Sequence, residues 1–481
     1  MAYYSITLDI TNLFFKIMRK FLSVLLFTLL AFVNIAQNEI PFKSQEENWH
    51  YIGTPGFSDV AVHFPCVKIS HDGFPYVAFV EGSKPFKVVV MKWNGSIWEK
   101  VSDPNVEIGN GNNVSLAVNQ LEVPYIAFVD SSHGKKISVM KYNGTSWDFL
   151  GMPGFPSDGA FASSVNLAIS PQGVPYVGFT EFTNSGIQEM VVMKYNGSNW
   201  VNVGNPGFSS SWSLVSPCIV FNASGQPIII LQDDIQELKV FKFDGDNWVM
   251  VGQPLTTYDN PELNVSIAID TNGTLYVPIV DYTQDSKLSV MQFNGNEWIP
   301  LGKRGISAGS FNYSNIAISS NGETFVACDD NGYDNNISVL QFNGTDWGSV
   351  GTPGFSGTQI QELSLALTPS DQPVIGFNIN GDGSLFLSVM NYGELFDIGE
   401  RESMDFSIYP NPASKFIIIK IPNLGNVIKD IEITNTLGSE SLAILSNDNP
   451  IRVDISNLPS GLYFLNVRTS NTIMVSKFYK I

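Results

Sequence analysis

Residues 139–151 read VMKYNGTSWDFLG, two apolar runs joined by an Asn-Gly pair. Asn-Gly between alternating apolar runs is the strongest short signal for a β-hairpin, and it predicts a two-residue type I′ turn with both central residues at positive φ. The phrase returns as VMKWNGSIWEKV at 90–101, VMKYNGSNWVNVG at 192–204, VFKFDGDNWVMVG at 240–252, VMQFNGNEWIPLG at 290–302 and VLQFNGTDWGSVG at 339–351. Six hairpins of one pattern make a tandem repeat, and a period near fifty residues means an array or a ring of supersecondary units.

The tryptophan that opens the second hairpin strand marks the period at Trp49, Trp98, Trp147, Trp200, Trp248, Trp298 and Trp347. Two more apolar segments lie between one tryptophan and the next, as in residues 165–170 and 175–180, separated by Pro171-Gln172-Gly173. Each unit thus holds four strands, a to d, which is the content of a propeller blade. The phase is offset: Trp49 opens a strand d with no a, b or c before it, while residues 363–392 supply a, b and c with no tryptophan-bearing d after them. Pairing the two closes a ring of seven and removes an open sheet edge. A short run at 394–399 competes for that slot.

The expected fold is all-β: a seven-bladed β-propeller at 48–399, a linker at 400–405 and a small Ig-like β-sandwich at 406–481. Composition agrees, with 41 Gly, 26 Pro, 12% aromatic and only 15% charged residues, the profile of strands joined by many tight turns. In layout, an apolar strand, a Tyr/Phe-Asn-Gly turn and then a tryptophan, residues 48–399 resemble the kelch propellers. The paired glycines of the kelch pattern are replaced by sequences such as Ala127-Phe128-Val129-Asp130, and sialidase-type Asp boxes do not occur.

The net charge of −19 is unevenly placed, with 38 acidic and 16 basic residues over 38–404 against 6 and 7 over 405–481. An acidic surface repels phosphate backbones and anionic headgroups, which argues against nucleic acid as a partner and leaves cations and neutral polar ligands. Cys66, Cys218 and Cys328 sit singly in strand-like runs with no paired spacing, so they are expected as buried thiols and not as a disulfide framework. Cys66 and Cys218 fall at equivalent points of the first and fourth repeats, which a ring would hold apart.

Residues 1–37 read as a secretory signal: Arg19-Lys20, an apolar run from Phe21 to Val33, and a small-residue cleavage site near Ala36. The segment before Met18 is atypical of such a signal, so Met18 is a candidate start. Residues 38–47 lead into the mature chain, and no later run approaches the ~20 apolar residues of a membrane span.

From Phe406 the chain turns Ile-rich and balanced in charge. Tyr409-Pro410-Asn411-Pro412-Ala413, Leu437-Gly438, Leu458-Pro459-Ser460-Gly461-Leu462-Tyr463-Phe464 and Lys477-Phe478-Tyr479-Lys480 follow in order. The stretch resembles the Por secretion system C-terminal sorting domain of type IX secretion. That resemblance implies a Bacteroidota protein recognised by the type IX machinery, exported across the outer membrane, and released or attached to the cell surface. Pro410, Asn411, Pro412, Gly438, Gly461, Tyr463, Lys477 and Lys480 would carry the sorting motif.

Candidate ligand contacts fall on the end of the propeller that carries the b-to-c and d-to-a connections. Strand b ends in an acid in six units, Glu81, Asp130, Glu181, Asp233, Asp281 and Asp330, and in Ile379 in the seventh. These carboxylates either encircle a rim and hold a cation or hydroxyls, or accept local backbone N–H groups where the strand turns. Four d-to-a loops carry Pro-Gly followed by Phe57, Phe155, Phe208 or Phe355, with Pro-Gly setting a type II turn. The ring then either caps its blade or offers a face to a sugar or peptide. Asn378, Asn380 and Asp382 have the spacing of a calcium loop, against which a plain turn competes because only one ligand is charged and no closing glutamate follows. Calcium there aside, no cofactor is expected.

The four histidines, His50, His63, His71 and His133, lack metal-ligand spacing, and no nucleophile elbow, HExxH or phosphate loop occurs. The expected function is a secreted or surface-attached propeller that binds an extracellular glycan, protein or cation. A carbohydrate-active enzyme using rim carboxylates and a structural surface component are the alternatives.

Overall fold

The computed structural model describes residues 48–393 and 407–481, apart from 59, 83, 85, 103, 105–113, 157–160, 184–187, 210–216, 234–236, 257–265, 382–383, 421–427, 436–439, 445–449 and 470–472. The signal segment at 1–37, the run at 394–399, Asp382 and Gly438 lie outside the described residues. Seven antiparallel sheets carry the repeats, each in the order a-b-c-d. In blade 2 these are Val114–Val118, Pro124–Asp130, Lys136–Tyr142 and Trp147–Phe149. Blade 4 adds a fifth strand, Leu255–Thr256, on its strand c, Glu237–Phe243.

Blade 7 takes its fourth strand from the other end of the repeats. Trp49–Tyr51 pairs antiparallel with Ser384–Tyr392, Trp49 opposite Tyr392. Each strand a lies against strand a of the next blade, and strand a of blade 7, Leu363–Leu367, lies against that of blade 1, Val62–Ile69. The seven innermost strands therefore form a closed ring around an axis. With a neighbouring blade on both faces, strand b is buried along its length instead of alternating, as in Pro124–Asp130.

The tryptophans close a second ring further out. The indole Nε1 of each of the seven strand-d tryptophans donates to a carbonyl just past strand d of the preceding blade: Trp98 to Ile52, Trp147 to Val101, Trp200 to Leu150, Trp248 to Val203, Trp298 to Val251, Trp347 to Leu301 and Trp49 to Val350, at 2.7–3.0 Å. One net hydrogen bond of about 1 kcal/mol thus spans each of the seven junctions. The residue after that carbonyl must let the indole approach. At Gly252 φ is +71°, and a Cβ would stand 2.9 Å from the Trp298 ring. Blade 1 alone places a side chain at this point, Ser102 at φ 52°.

The hairpin between c and d differs from expectation. In 142–147 the pair Tyr142 and Trp147 encloses four residues, and only Gly144 takes positive φ, +100°. Asn143 keeps negative φ and its side-chain Oδ1 accepts the N–H groups of Thr145 and Ser146, both at 2.9 Å. The asparagine is selected for this side-chain turn, not for a type I′ geometry.

On strand a, Ser115 accepts from Leu167 N–H at 2.9 Å, Asn166 from Ile219 at 3.1 Å and Ser364 from Val67 at 3.1 Å, each bridging to the next blade. Cys66 and Cys218 occupy this same position. They are half-buried, not buried, because strand a borders the axis; Cys328, on strand b, is buried, and all three are free thiols. Burial pushes the Cys218 thiol up.

The carboxy-terminal residues form a three-stranded sheet, Ser407–Tyr409, Phe416–Lys420 and Ile451–Asp454, and a four-stranded sheet of Glu440–Ile444, Ile428–Asn435, Gly461–Thr469 and Ile473–Lys480. Ile417, Ile419, Ile431, Ile433, Val453, Leu465 and Phe478 are buried between them.

Candidate functional site

The b-to-c and d-to-a connections share one end of every blade, and the six acids stand where strand b reaches it. Asp130 is 2% exposed and accepts from Ser132 N–H at 2.9 Å, Ser138 Oγ at 2.7 Å and His133 Nδ1 at 2.8 Å. Asp281 accepts from Thr283, from Ser289 Oγ at 2.7 Å, and bidentately from Arg304 at 2.5 and 2.6 Å. Burial pushes the Asp281 carboxyl up, but Ser289, Arg304 and Thr283 together outweigh it and hold it below its usual range. Asp330 accepts from Gly332, Ala308 and Gly309 N–H at 2.7–3.0 Å, and Asp233 accepts from Glu237 N–H and pairs with Lys239.

These four carboxylates face inward and anchor the turn that follows strand b. For Asp130 and Asp281 a serine on strand c extends the anchor, since Ser138 and Ser289 accept from Gly154 and Gly305 of the d-to-a loops. Of the two readings the sequence offered, these four carboxylates fit the acceptance of local donors and not an open rim: an unpaired carboxylate would be costly in a buried turn, so donors gather around it. Glu181 is buried at 9% exposure and Glu81 is half-buried, each pairing across to strand a, with Ala162 and Val62. Blade 7 keeps the serine, with Gly56 N–H on Ser388 at 2.8 Å, and places Ile379 under Gly56 where the acid would stand.

The phenylalanines of the Pro-Gly-Phe loops are engaged too. Phe57 stacks on Trp98 at 4.7 Å, Phe155 on Trp200 at 4.9 Å, Phe208 on Trp248 at 4.7 Å and Phe355 on Trp49 at 4.0 Å, with rings within 17° of parallel. Each ring comes from the loop leaving one blade and covers the tryptophan of the next, so one aromatic face is taken by the fold and the residue is at least half-buried.

Asn378 lies inside strand b of blade 7 opposite Leu387, is fully buried, and donates to Glu362 at 3.1 Å. Asn380 follows in the same strand, and Asp382 lies outside the described residues. Glu362 also accepts the Phe64 N–H of blade 1 at 2.6 Å, at the seam where the ring closes. Desolvation pushes its carboxyl up to about 7, against the lowering effect of those two donors. In blade 6, Asp329 is raised by burial although Tyr313 and Asn312 bond to it.

One constellation escaped the sequence. His133 receives Asp130 on Nδ1 and is 41% exposed, and its equivalents are Gln284 and Tyr333. The Asp130-x-x-His133 spacing was the available signal, but only the 3₁₀ turn at Ser131–His133 brings the pair together.

In the carboxy-terminal domain Asn411 acts as a surrogate strand. Its Oδ1 accepts Tyr479 N–H at 2.9 Å and its Nδ2 donates to the Lys477 carbonyl at 3.2 Å. Ala413, buried, continues the pairing through Tyr479 O and Ile481 N–H. Pro410 and Pro412 flank it, exposed, as is Lys477, with Lys480 half-buried. Tyr463 stacks on Phe478 at 5.6 Å and its hydroxyl donates to Pro459 O, while Gly461 pairs with Lys480. Residues 407–480 match the family model described as "Secretion system C-terminal sorting domain".

The carboxy-terminal domain is a type IX sorting domain.

Its presence makes the protein an exported one, extracellular or at the cell surface, recognised through the sorting domain by the type IX machinery. No helix among the described residues is long and apolar enough to cross a membrane. No curated protein matches the chain. Among solved structures, the BP39L lectin of Burkholderia pseudomallei is similar at 13% identity and TM-score 0.50, over 69% of this chain and 95% of its own. A six-bladed propeller lectin of Aleuria aurantia has 16% identity and TM-score 0.41, over 62% and 99%. A polysaccharide lyase, the PL25 ulvan lyase, has 12% identity and TM-score 0.46, over 70% and 95%. At these identities the likeness concerns the propeller fold alone.

Proposed function

We propose that this chain is a secreted or surface-attached β-propeller that holds an extracellular ligand without transforming it. The observation that carries the reading is the engagement of Asp130, Asp233, Asp281 and Asp330 in internal hydrogen bonds. Glycoside hydrolysis needs two carboxyl groups facing the substrate at a set separation, and four of the six rim acids are turned to the fold instead. Exposed Phe149, Met152, Phe161, Tyr282 and Tyr333 on the propeller supply contact area that the core does not need. The Burkholderia pseudomallei protein, similar in fold, is a lectin.

A second reading, a carbohydrate-active enzyme, draws on the Asp130–His133 pair, in which a buried carboxylate orients an exposed imidazole as in a general base. The purified mature protein, applied to a glycan array and to surface extracts in pull-down and assayed on polysaccharides in parallel, separates the two. Binding without turnover is the expected result. Turnover lost in His133→Ala with an unchanged melting curve establishes the enzyme and overturns the binding reading.

A further inference from the structure

The hairpins between strands c and d lie at the opposite end of the blades from the acids. Five carry Asn-Gly, at Asn94, Asn143, Asn196, Asn294 and Asn343, and all five asparagines are exposed. In each, Oδ1 accepts two backbone N–H groups at 2.9–3.0 Å. The five differ at the other end of the amide. Asn94 Nδ2 donates to Glu99 at 2.7 Å and Asn143 Nδ2 to Asp148 at 2.6 Å, in both cases the residue after the strand-d tryptophan. Asn143 Nδ2 also reaches Ser146 Oγ at 2.9 Å. In blades 3, 5 and 6 that position holds Val201, Ile299 and Gly348, which offer no side-chain acceptor.

Glycine has no Cβ, so its backbone nitrogen lies open to the side chain of a preceding asparagine. When that nitrogen attacks Cγ, an N–Cγ bond forms, the Cγ–Nδ2 bond breaks, and Nδ2 leaves as ammonia with the proton the glycine N–H gives up. Water then opens the resulting succinimide at either carbonyl, leaving aspartate or isoaspartate. The leaving atom is Nδ2, so a carboxylate bonded to it bears directly on the reaction. It fixes the amide in the turn, and, being ionised, it has no proton to give the departing ammonia.

We propose that Asn196, Asn294 and Asn343 are deamidation sites, hydrolysed by water through a succinimide, and that Glu99 and Asp148 guard Asn94 and Asn143 against the same reaction. Blade 4 displays the turn with an aspartate already in place. Asp244 precedes Gly245, and its Oδ1 accepts from Asp246 and Asn247 N–H at 2.9 and 2.7 Å, as the asparagines do. The Asn247 and Asp246 donors hold its carboxyl below the usual range. Conversion to aspartate therefore keeps the turn and adds one negative charge per site. Isoaspartate lengthens the backbone by a methylene and disturbs loops such as that between Tyr195 and Trp200, which pair across the hairpin.

The test is peptide mapping by mass spectrometry of the mature protein held at pH 8 and 37 °C, with aspartate and isoaspartate peptides separated. Wild type is compared with Glu99→Leu, which removes a guard at an exposed position, and Val201→Asp, which adds one; a melting curve identifies any variant that has unfolded. Expected is conversion at Asn196, Asn294 and Asn343 about ten-fold faster than at Asn94 and Asn143, the factor one hydrogen bond to a charged group supplies. Asn94 is expected to join the fast group in Glu99→Leu, and Asn196 the slow group in Val201→Asp. Equal rates at all five sites, or an unchanged rate at Asn94 in Glu99→Leu, overturn the guarding role. Asparagine left intact at 196, 294 and 343 after a time that converts free peptides of the same sequence overturns the sites themselves.

Discussion

Glu362 sets a pH dependence at the level of one residue. Its ordinary value of 4.5 is raised to about 7 in the folded chain, so the folded state holds a proton that the unfolded state has released. The carboxyl costs nothing below about 4.5, where both states are protonated, and its cost grows as pH rises through 7, reaching on the order of 2–3 kcal/mol. Urea unfolding at pH 5 and pH 8 is expected to show this loss in the wild type and a much smaller one in Glu362→Gln, which keeps an acceptor for Phe64. Equal pH slopes in the two proteins contradict it. Arg304 stands where four other loops have proline, and it is the cation on buried Asp281. Arg304→Ala is expected to lower stability by about 1–2 kcal/mol, partly screened because the guanidinium is 40% exposed, read as a lower melting temperature. None of this was legible in the sequence. Glu362 falls outside the repeat pattern, and its partners Phe64 and Asn378 lie 298 and 16 residues away.

At the scale of elements, the offset of the repeat was readable from Trp49 and from the tryptophan-free unit at 363–392, because strand order in a blade follows the chain. The structure joins them through the pairing of Trp49 with Tyr392. Removing residues 1–52 is expected to expose strand c of blade 7 as an edge and to promote self-association beyond that of the wild type, measured by sedimentation velocity. A truncated protein that sediments as the wild type does contradicts this. The hairpins were legible as hairpins, but their turn type was not. Asn-Gly fits both a type I′ turn and a side-chain-capped four-residue loop, and register decides between them. The rim acids and the Pro-Gly-Phe rings were legible as a periodic series, whereas their inward direction depends on donors from neighbouring loops that no local pattern names.

For the whole molecule, export resides in the sorting domain, and the proposed function places the ligand-facing surface in the propeller. A chain ending at residue 405 is expected to be retained inside the outer membrane of a type IX-competent host, tracked by fractionation, with the propeller still folded by its tryptophan fluorescence. Extracellular recovery of that chain contradicts the assignment. The sequence by itself determined the all-β class, the seven repeats, their phase and the sorting domain. These are written in local periods, turn residues and an ordered motif, each set within a few tens of residues. Tertiary structure decided which repeated residues remain available. Ring closure brings each loop against the next blade, so carboxylates and phenylalanines that look like a ligand rim become anchors and caps.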